Sequence, residues 1–313
     1  MRTVGVQHIV VGTSDLQAAL QLYHQELGLG RCQGPAPLSP AERTLFGLPA
    51  TILAEAVTLG APGQRYGLIR LVSFGEATTA PVRAAARPYD SSPKNLDFQV
   101  RDLAATYAAL RARGYRFRSE PVTYPHDGQR ITEVQLLGPD AVNVVLIETE
   151  PAPALSFSPH GVAGVTQWVL TTGDLAGMTR LFHEGLGIPL ALRNRLAGPA
   201  IERMIGLPPG ATLEIAILGG ETPYGRIELV QYEGVVARDL TGRARPPAAG
   251  LLQVGFAVDD LEGTMKRLAD FGFQLLCPPL ACPDPWGQLG RAAALAQPEG
   301  LMIELWQRPP GER

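Results

Sequence analysis

No apolar run in this 313-residue chain reaches the eighteen or so residues that a membrane-spanning helix needs. The N-terminus enters a strand pattern within a few residues and lacks the basic-then-apolar order of a secretory signal, so a cytoplasmic protein with no membrane partner is expected. Cysteine is scarce and odd in number: Cys32, Cys277 and Cys282, with no CxxC pair. They suggest no disulfide framework and are given no role. Cys277 and Cys282 lie in what reads as a proline-rich loop (CPPLACPDPW) where a disulfide is sterically conceivable, but a reduced pair is expected. Runs of positive charge are absent too. Net charge is −3, and the nearest approach to a basic cluster, Arg111, Arg113, Arg116 and Arg118, straddles a predicted helix end and the next strand. A solvated edge is expected there, and no nucleic-acid partner.

What the sequence does have is repetition. Val6–Leu29 (VQHIVVGTSDLQAALQLYHQELGL) and Val165–Ile188 (VTQWVLTTGDLAGMTRLFHEGLGI) match with a constant offset of 159 (174 − 15), which pairs Asp15 with Asp174, His24 with His183 and Gly28 with Gly187. Each reads as an apolar, β-branched strand, an Asp at a helix N-cap, an apolar helical stripe, and a glycine where a left-handed helix end tolerates no Cβ. A shorter version recurs at Asn95–Phe117 and Gln253–Leu275 with an offset of 158 (260 − 102), pairing Phe98 with Phe256 and Asp102 with Asp260. Four modules therefore alternate, at about residues 3–75, 94–149, 162–233 and 250–307. A predicted short helix over Ser39–Pro49, ending Gly-Leu-Pro, repeats as Gly206-Leu207-Pro208. Ala77–Lys94, Pro151–His160 and Val235–Gly250 read as linkers. Two domains of ordinary size are expected, 1–150 and 161–308, with 151–160 between them.

A strand reading HIVV, an Asp-Leu helix start, a Leu-Gly-Leu/Ile stop, the Gly-Leu-Pro insert and a last strand reading PEGLMIEL resemble the vicinal oxygen chelate superfamily, the glyoxalase, bleomycin-resistance and extradiol-dioxygenase group. The resemblance covers nearly the whole chain. It implies an α+β fold of four βαβββ modules paired into two curved mixed sheets, each forming a cup with helices outside. It also implies metal ligands from the first and last strands of each module. The first-strand positions are His8, Asn95, Gln167 and Gln253; the last-strand positions are Arg70, Val145 or Leu146, Glu228 and Glu304. Modules paired in sequence order would leave the N-terminal cup with His8, Arg70, Asn95 and an aliphatic residue, a structural or anion-binding pocket. The C-terminal cup would then gather Gln167, Glu228, Gln253 and Glu304. An all-oxygen set of that kind suits Mg²⁺, Mn²⁺ or Ca²⁺ better than zinc, nickel or iron, unless no metal is used at all. Sequence-order pairing is the one expected, because the linkers suffice for side-by-side packing; the other pairing, first module with fourth and second with third, would place His8, Arg70, Gln253 and Glu304 in one cup and Asn95, Gln167 and Glu228 in the other.

Glu228 and Glu304 carry the functional expectation. Each interrupts an otherwise apolar strand (RIELVQY, MIELWQ), and an unpaired buried carboxylate is expensive. The resemblance then implies an isomerase or lyase that removes a proton beside a carbonyl, with Glu304 or Glu228 as base. Replacing Glu304 by Gln would stop turnover or metal binding and leave folding nearly intact. The competing class is a binding or resistance protein that sequesters a small aromatic ligand; an extradiol dioxygenase lacks its two-His-one-carboxylate set here. Trp168, Trp286 and Trp306 are candidates for lining a substrate cavity. Gln167 and Gln253 read equally as buried amides with hydrogen-bond partners, His8 as an ordinary strand histidine, and His24 and His183 as structural surface residues. His126 reads as a loop residue, either over the cup or in solvent. The partner expected is a small molecule, and a homodimer is compatible.

Overall fold

The computed structural model describes residues 3–126, 128–298 and 300–307. Glu299 of the PEGLMIEL motif and residue 308, the end of the expected second domain, lie outside them. The first module runs β1 (Val6–Thr13), α1 (Leu16–Leu20), β2 (Gly30–Pro37), α2 (Pro40–Leu45), β3 (Glu55–Gly60) and β4 (Leu68–Ser73). The second has β5 (Ser92–Val100), α3 (Leu103–Ala112), β6 (Val122–His126), β7 (Gln129–Leu137) and β8 (Asn143–Glu150). The third repeats the first as β9 (Val162–Thr171), α4 (Leu175–Arg180), β10 (Leu190–Leu196), α5 (Pro199–Ile205), β11 (Thr212–Leu218) and β12 (Arg226–Glu233). The fourth is β13 (Gly250–Ala257), α6 (Leu261–Ala269), β14 (Gln274–Pro283), β15 (Leu289–Ala296) and β16 (Met302–Gln307).

The repeated aspartates do one job four times. Asp15, Asp102, Asp174 and Asp260 each accept a hydrogen bond from the backbone N–H three residues on, so each helix start has an otherwise orphan donor satisfied. α1 and α4 each run on into a wider π turn, Gln21–Glu26 and Leu181–Gly185. His24 Nδ1 and His183 Nδ1 lie 2.6 and 3.0 Å from the carbonyl oxygens of Leu29 and Ile188, across the turn that Gly28 and Gly187 make at φ near +74° and +73°. The two histidines are thus structural, as expected.

Two eight-stranded sheets result, ordered β14-β15-β16-β13-β1-β4-β3-β2 and β10-β11-β12-β9-β5-β8-β7-β6. The first module therefore shares a sheet with the fourth, and the second with the third. Pairing in sequence order is overturned, and with it the division into 1–150 and 161–308 as separately closed units. The linkers give the reason. Pro151–His160 is short and passes the chain directly from β8 to β9, which lies antiparallel beside β5. The two longer linkers both cross between sheets and run together, bridged at Thr79 with Ala248 and at Ser91 with Asp239. Asp90 locks that crossing: it is fully buried, pairs with Arg87 and Arg238 at 3.2 and 2.6 Å, and is held well below the usual carboxylate range by their hydrogen bonds, which outweigh its burial. The convex faces of both sheets and their helices share one core that includes Ile9, Leu71, Phe98, Trp168, Phe182 and Phe256. Among the described residues, no helix is long and apolar enough to cross a membrane.

Candidate functional site

The concave faces are the two cups, and the crossed pairing distributes the expected site residues between them. His8, Arg70, Gln253 and Glu304 meet in the cup formed by β1–β4 with β13–β16; Asn95, Gln167 and Glu228 meet in the other. The set Gln167, Glu228, Gln253 and Glu304 is not brought together.

The first cup is sealed. His8 and Glu304 are fully buried, and Gln253 and Arg70 are nearly so. Glu304 accepts hydrogen bonds from Trp306 Nε1 at 2.9 Å and from Gln253 Nε2, and His8 Nε2 lies 3.2 Å from its Oε2. Arg70 pairs through Nη2 with Glu42, which α2 carries in; Ser39 N–H donates to that carboxylate at 2.7 Å in a capping box. Phe46 lies under the guanidinium, 5.6 Å from ring centroid to its carbon. Burial alone would raise the Glu304 pKa. The charge and hydrogen bond of His8, the charge of Arg70 and the amide of Gln253 outweigh it and hold the carboxyl below its ordinary value. Cys277 and Cys282 sit in the apolar cluster beyond, beside Trp306, as free thiols.

The second cup is open and contains a cavity of about 350 Å³, large enough for a small organic ligand. One wall is aliphatic, with Ile131, Leu192, Met204, Ile215 and Ile217; the floor carries Lys94, Asn95, Asp97, Glu133, Gln167 and Glu228, with Tyr124 and Tyr232. Gln167 Nε2 donates to Glu228 at 2.6 Å and Tyr124 OH to Glu133 at 2.8 Å. Asn143 Nδ2 donates to Asn95 at 2.9 Å and to Gln135 at 3.2 Å. Burial, then the charge of Glu133, push the Glu228 pKa up to about 7 against the pull of Lys94 and Arg226. Asp97 is raised well above its ordinary value by burial and by the charges of Glu228 and Glu133, and its Oδ1 finds no hydrogen-bond partner among the described residues. Burial raises Glu133 as well. His126, at the end of β6, lines this cavity and contacts Asn194 at 3.1 Å.

The tryptophans do not line the cavity. Trp168 is buried in the convex-face core, edge-on to Phe182 at 6.3 Å between centroids. Trp306 serves Glu304 in the sealed cup, and Trp286 sits in the β14–β15 turn with its N–H on Asp284. Lys94, Asp97 and Glu133 were not anticipated. Asp97 and Glu133 carried the same signal as Glu228, a charge inside a strand pattern; Lys94 was hidden because Ser-Ser-Pro-Lys reads as linker.

Neither cup presents the full set of metal-ligand positions that the fold implies. In the sealed cup the fourth ligand position is Arg70, a permanent cation whose field already balances Glu304. In the open cup the register opposite Asp97 places Val145, which has no donor atom, at the last-strand position of the second module; Leu146 turns into the core. Among the described residues no three His, Cys, Asp or Glu side chains gather in a way that would hold a metal.

No protein-family description and no curated protein matches this sequence. Solved structures do. Glyoxalase I from Zea mays superposes with a TM-score of 0.64 at 16% identity, over 97% of this chain and 92% of that one. A Bacillus subtilis protein provisionally named a dioxygenase gives 0.62 at 14% identity, over 99% and 87%. The chain has the vicinal oxygen chelate fold. At such identities the likeness extends to the fold and to no particular activity.

Proposed function

We propose that this vicinal oxygen chelate protein is an isomerase or lyase that acts on a small carbonyl compound in the open cup, with Glu228 moving the proton. The observation that carries the reading is a carboxyl group with its pKa raised to about 7 on the floor of a ligand-sized cavity. An acid–base group works best when its pKa lies near the working pH, because both protonation states are then populated. The Gln167 amide holds one Glu228 oxygen and leaves the other for a substrate proton. Asp97, pushed toward its neutral form by burial and by the charges of Glu228 and Glu133, is placed to offer an O–H to an enolate oxygen. The aliphatic wall takes the apolar part of the substrate. No step here runs through a metal ion.

The test is exchange of α-protons for deuterium in a panel of hydroxyketones, 2-oxoaldehydes and their thiol adducts, followed by proton NMR. Glu228→Gln keeps shape and the Gln167 contact, and should slow exchange by about 100-fold or more, with the wild-type rate rising through pH 7. A second reading, a sequestering protein, draws on that same aliphatic wall: tight binding of apolar ligands with no exchange of any probe would favour it and set aside the catalytic role of Glu228.

A further inference from the structure

Among 27 basic residues the chain has only two lysines, Lys94 and Lys266. Lys266 is exposed on α6, whereas Lys94 is 2% exposed, on the strand that floors the open cup. Its placement is built. In the β5–β9 ladder Pro93 pairs with Leu170 and Asn95 with Val169, so Lys94 is the extra residue of a bulge, a device that re-aims a side chain. The side chain reaches the cavity, where Nζ lies 2.7 Å from Tyr232 OH and 5.2 Å from the centre of its ring. The charged groups facing it are Arg83 and Arg118 on one side and Asp97 and Glu133 on the other. Arg83 is hydrogen-bonded to the carbonyls of Asp90 and Arg87 and to Ser92, and the Asp90 carboxylate acts on it only through space. Asp97 and Glu133 are themselves pushed toward their neutral forms. Burial and the two guanidinium groups lower the Lys94 pKa to about 7. Arginine could not stand here in the same role, because it does not deprotonate.

We propose that Lys94 is a carbonyl-reactive amine that condenses with a small aldehyde or ketone in the open cup to form a Schiff base. This rests on the reading of that cup as the substrate site. The nitrogen lone pair adds to the carbonyl carbon while the carbonyl oxygen takes a proton, and the new ammonium gives one up, so that the Tyr232 hydroxyl can relay the proton with no net change. The carbinolamine hydroxyl then leaves as water with a second proton, giving an iminium that hydrolysis reverses. The iminium acidifies the adjacent C–H, the proton assigned above to Glu228.

Propanal with cyanoborohydride, at pH 7, tests this on the intact protein. Hydride reduces any iminium to a stable propyl-lysine, which intact mass and peptide mapping locate. An amine with pKa near 7 is about half neutral at that pH, and an ordinary lysine only about one part in 2,500. Lys94 should therefore be labelled at least about tenfold faster than Lys266, even with restricted access. Its rate should fall below pH 7, and Lys94→Arg should lose the fast adduct. Label on Lys94 no faster than on Lys266 would overturn the proposal without needing a variant. Glu228→Gln should still form the adduct. Absent label with α-proton exchange intact would remove the Schiff base and leave the acid–base role of Glu228 standing.

Discussion

Glu304→Gln separates a sealed, structural cup from a working one. Three donors converge on this carboxylate: Gln253 Nε2 on one oxygen, Trp306 Nε1 at 2.9 Å and His8 Nε2 at 3.2 Å on the other. An amide has one acceptor oxygen, so it can serve Trp306 and His8 only by turning its NH₂ on Gln253, whose own amide must flip to accept. The negative charge that acts together with Glu42 in balancing Arg70 is lost as well. Hydrogen bonds to a buried charge contribute about 1.5–3 kcal/mol each, and breaking a buried pair costs about 3–5 kcal/mol, so a loss of about 4 kcal/mol is expected. With a urea m-value of about 3 kcal/mol/M, the midpoint should drop by more than 1 M.

The pH dependence has a definite sign. A carboxyl whose pKa is lowered on folding stabilises above its unfolded value, about 4.3, and loses that stabilisation as pH falls through the folded value. The gap between wild type and Glu304→Gln should hold from pH 8 to 5 and close below pH 4. Ligand binding in the other cup should be unchanged. A variant with wild-type stability but no activity would refute this reasoning and restore the sequence-based expectation that Glu304 is catalytic.

Glu228 should show the opposite slope: its raised pKa stabilises the fold fully only below the unfolded value and that stabilisation is lost as pH rises to about 7. Glu228→Gln should thus gain on wild type between pH 4.5 and 7, by up to about 3 kcal/mol, read as urea midpoints across that range. Gly255→Ala would drive a Cβ into the His8 ring and should cost about 2 kcal/mol in a thermal or urea melt. Asp90→Asn weakens the crossing of the two long linkers and should cost about 3 kcal/mol, with half-exposed guanidinium groups keeping the loss at the low end for a buried pair. An unchanged melt for either variant would contradict the contact it rests on.

The features legible in the sequence were local ones. Asp N-caps, glycine helix ends and the two offsets near 159 are periodic signals within one module, and they placed the helices, the strand order within modules and the inward positions His8, Gln167, Gln253, Glu228 and Glu304. Module pairing was not legible, because a linker that suffices for side-by-side packing suffices also for a crossover. The crossed pairing rests on long-range contacts, β1 on β13, β5 on β9 and Asp90 on Arg238, the last 148 residues apart in sequence. The edge strands β2 (GRCQGPAP) and β10 were missed because they are solvent-facing and carry little of the apolar alternation that marks a half-buried strand. Lys94 was missed for a related reason: a bulge following a proline breaks the alternation where the functional side chain is turned inward.

Why one cup closes and its pseudo-equivalent stays open comes down to two matched positions. The repeat offset aligns Glu42 on α2 with Ile201 on α5, and the strand register aligns Arg70 on β4 with Glu228 on β12. In the first cup the insert helix brings a carboxylate onto a strand guanidinium, and Leu45 packs beside Trp306 and the two buried cysteines, so the concavity fills with paired charge and apolar bulk. In the second, the insert helix brings Ile201, Met204 and Ile205, which pack with Leu213 and Val230 and offer the strand carboxylate no charged partner from the helix. Burial and the charge of Glu133, outweighing Lys94 and Arg226, lift the Glu228 pKa, and the concavity there remains a cavity. A protein that needed both cups only for stability would gain by filling the second as it fills the first. Keeping a raised carboxyl there, at a cost to folding near neutral pH, makes sense where a ligand or a proton is to be handled.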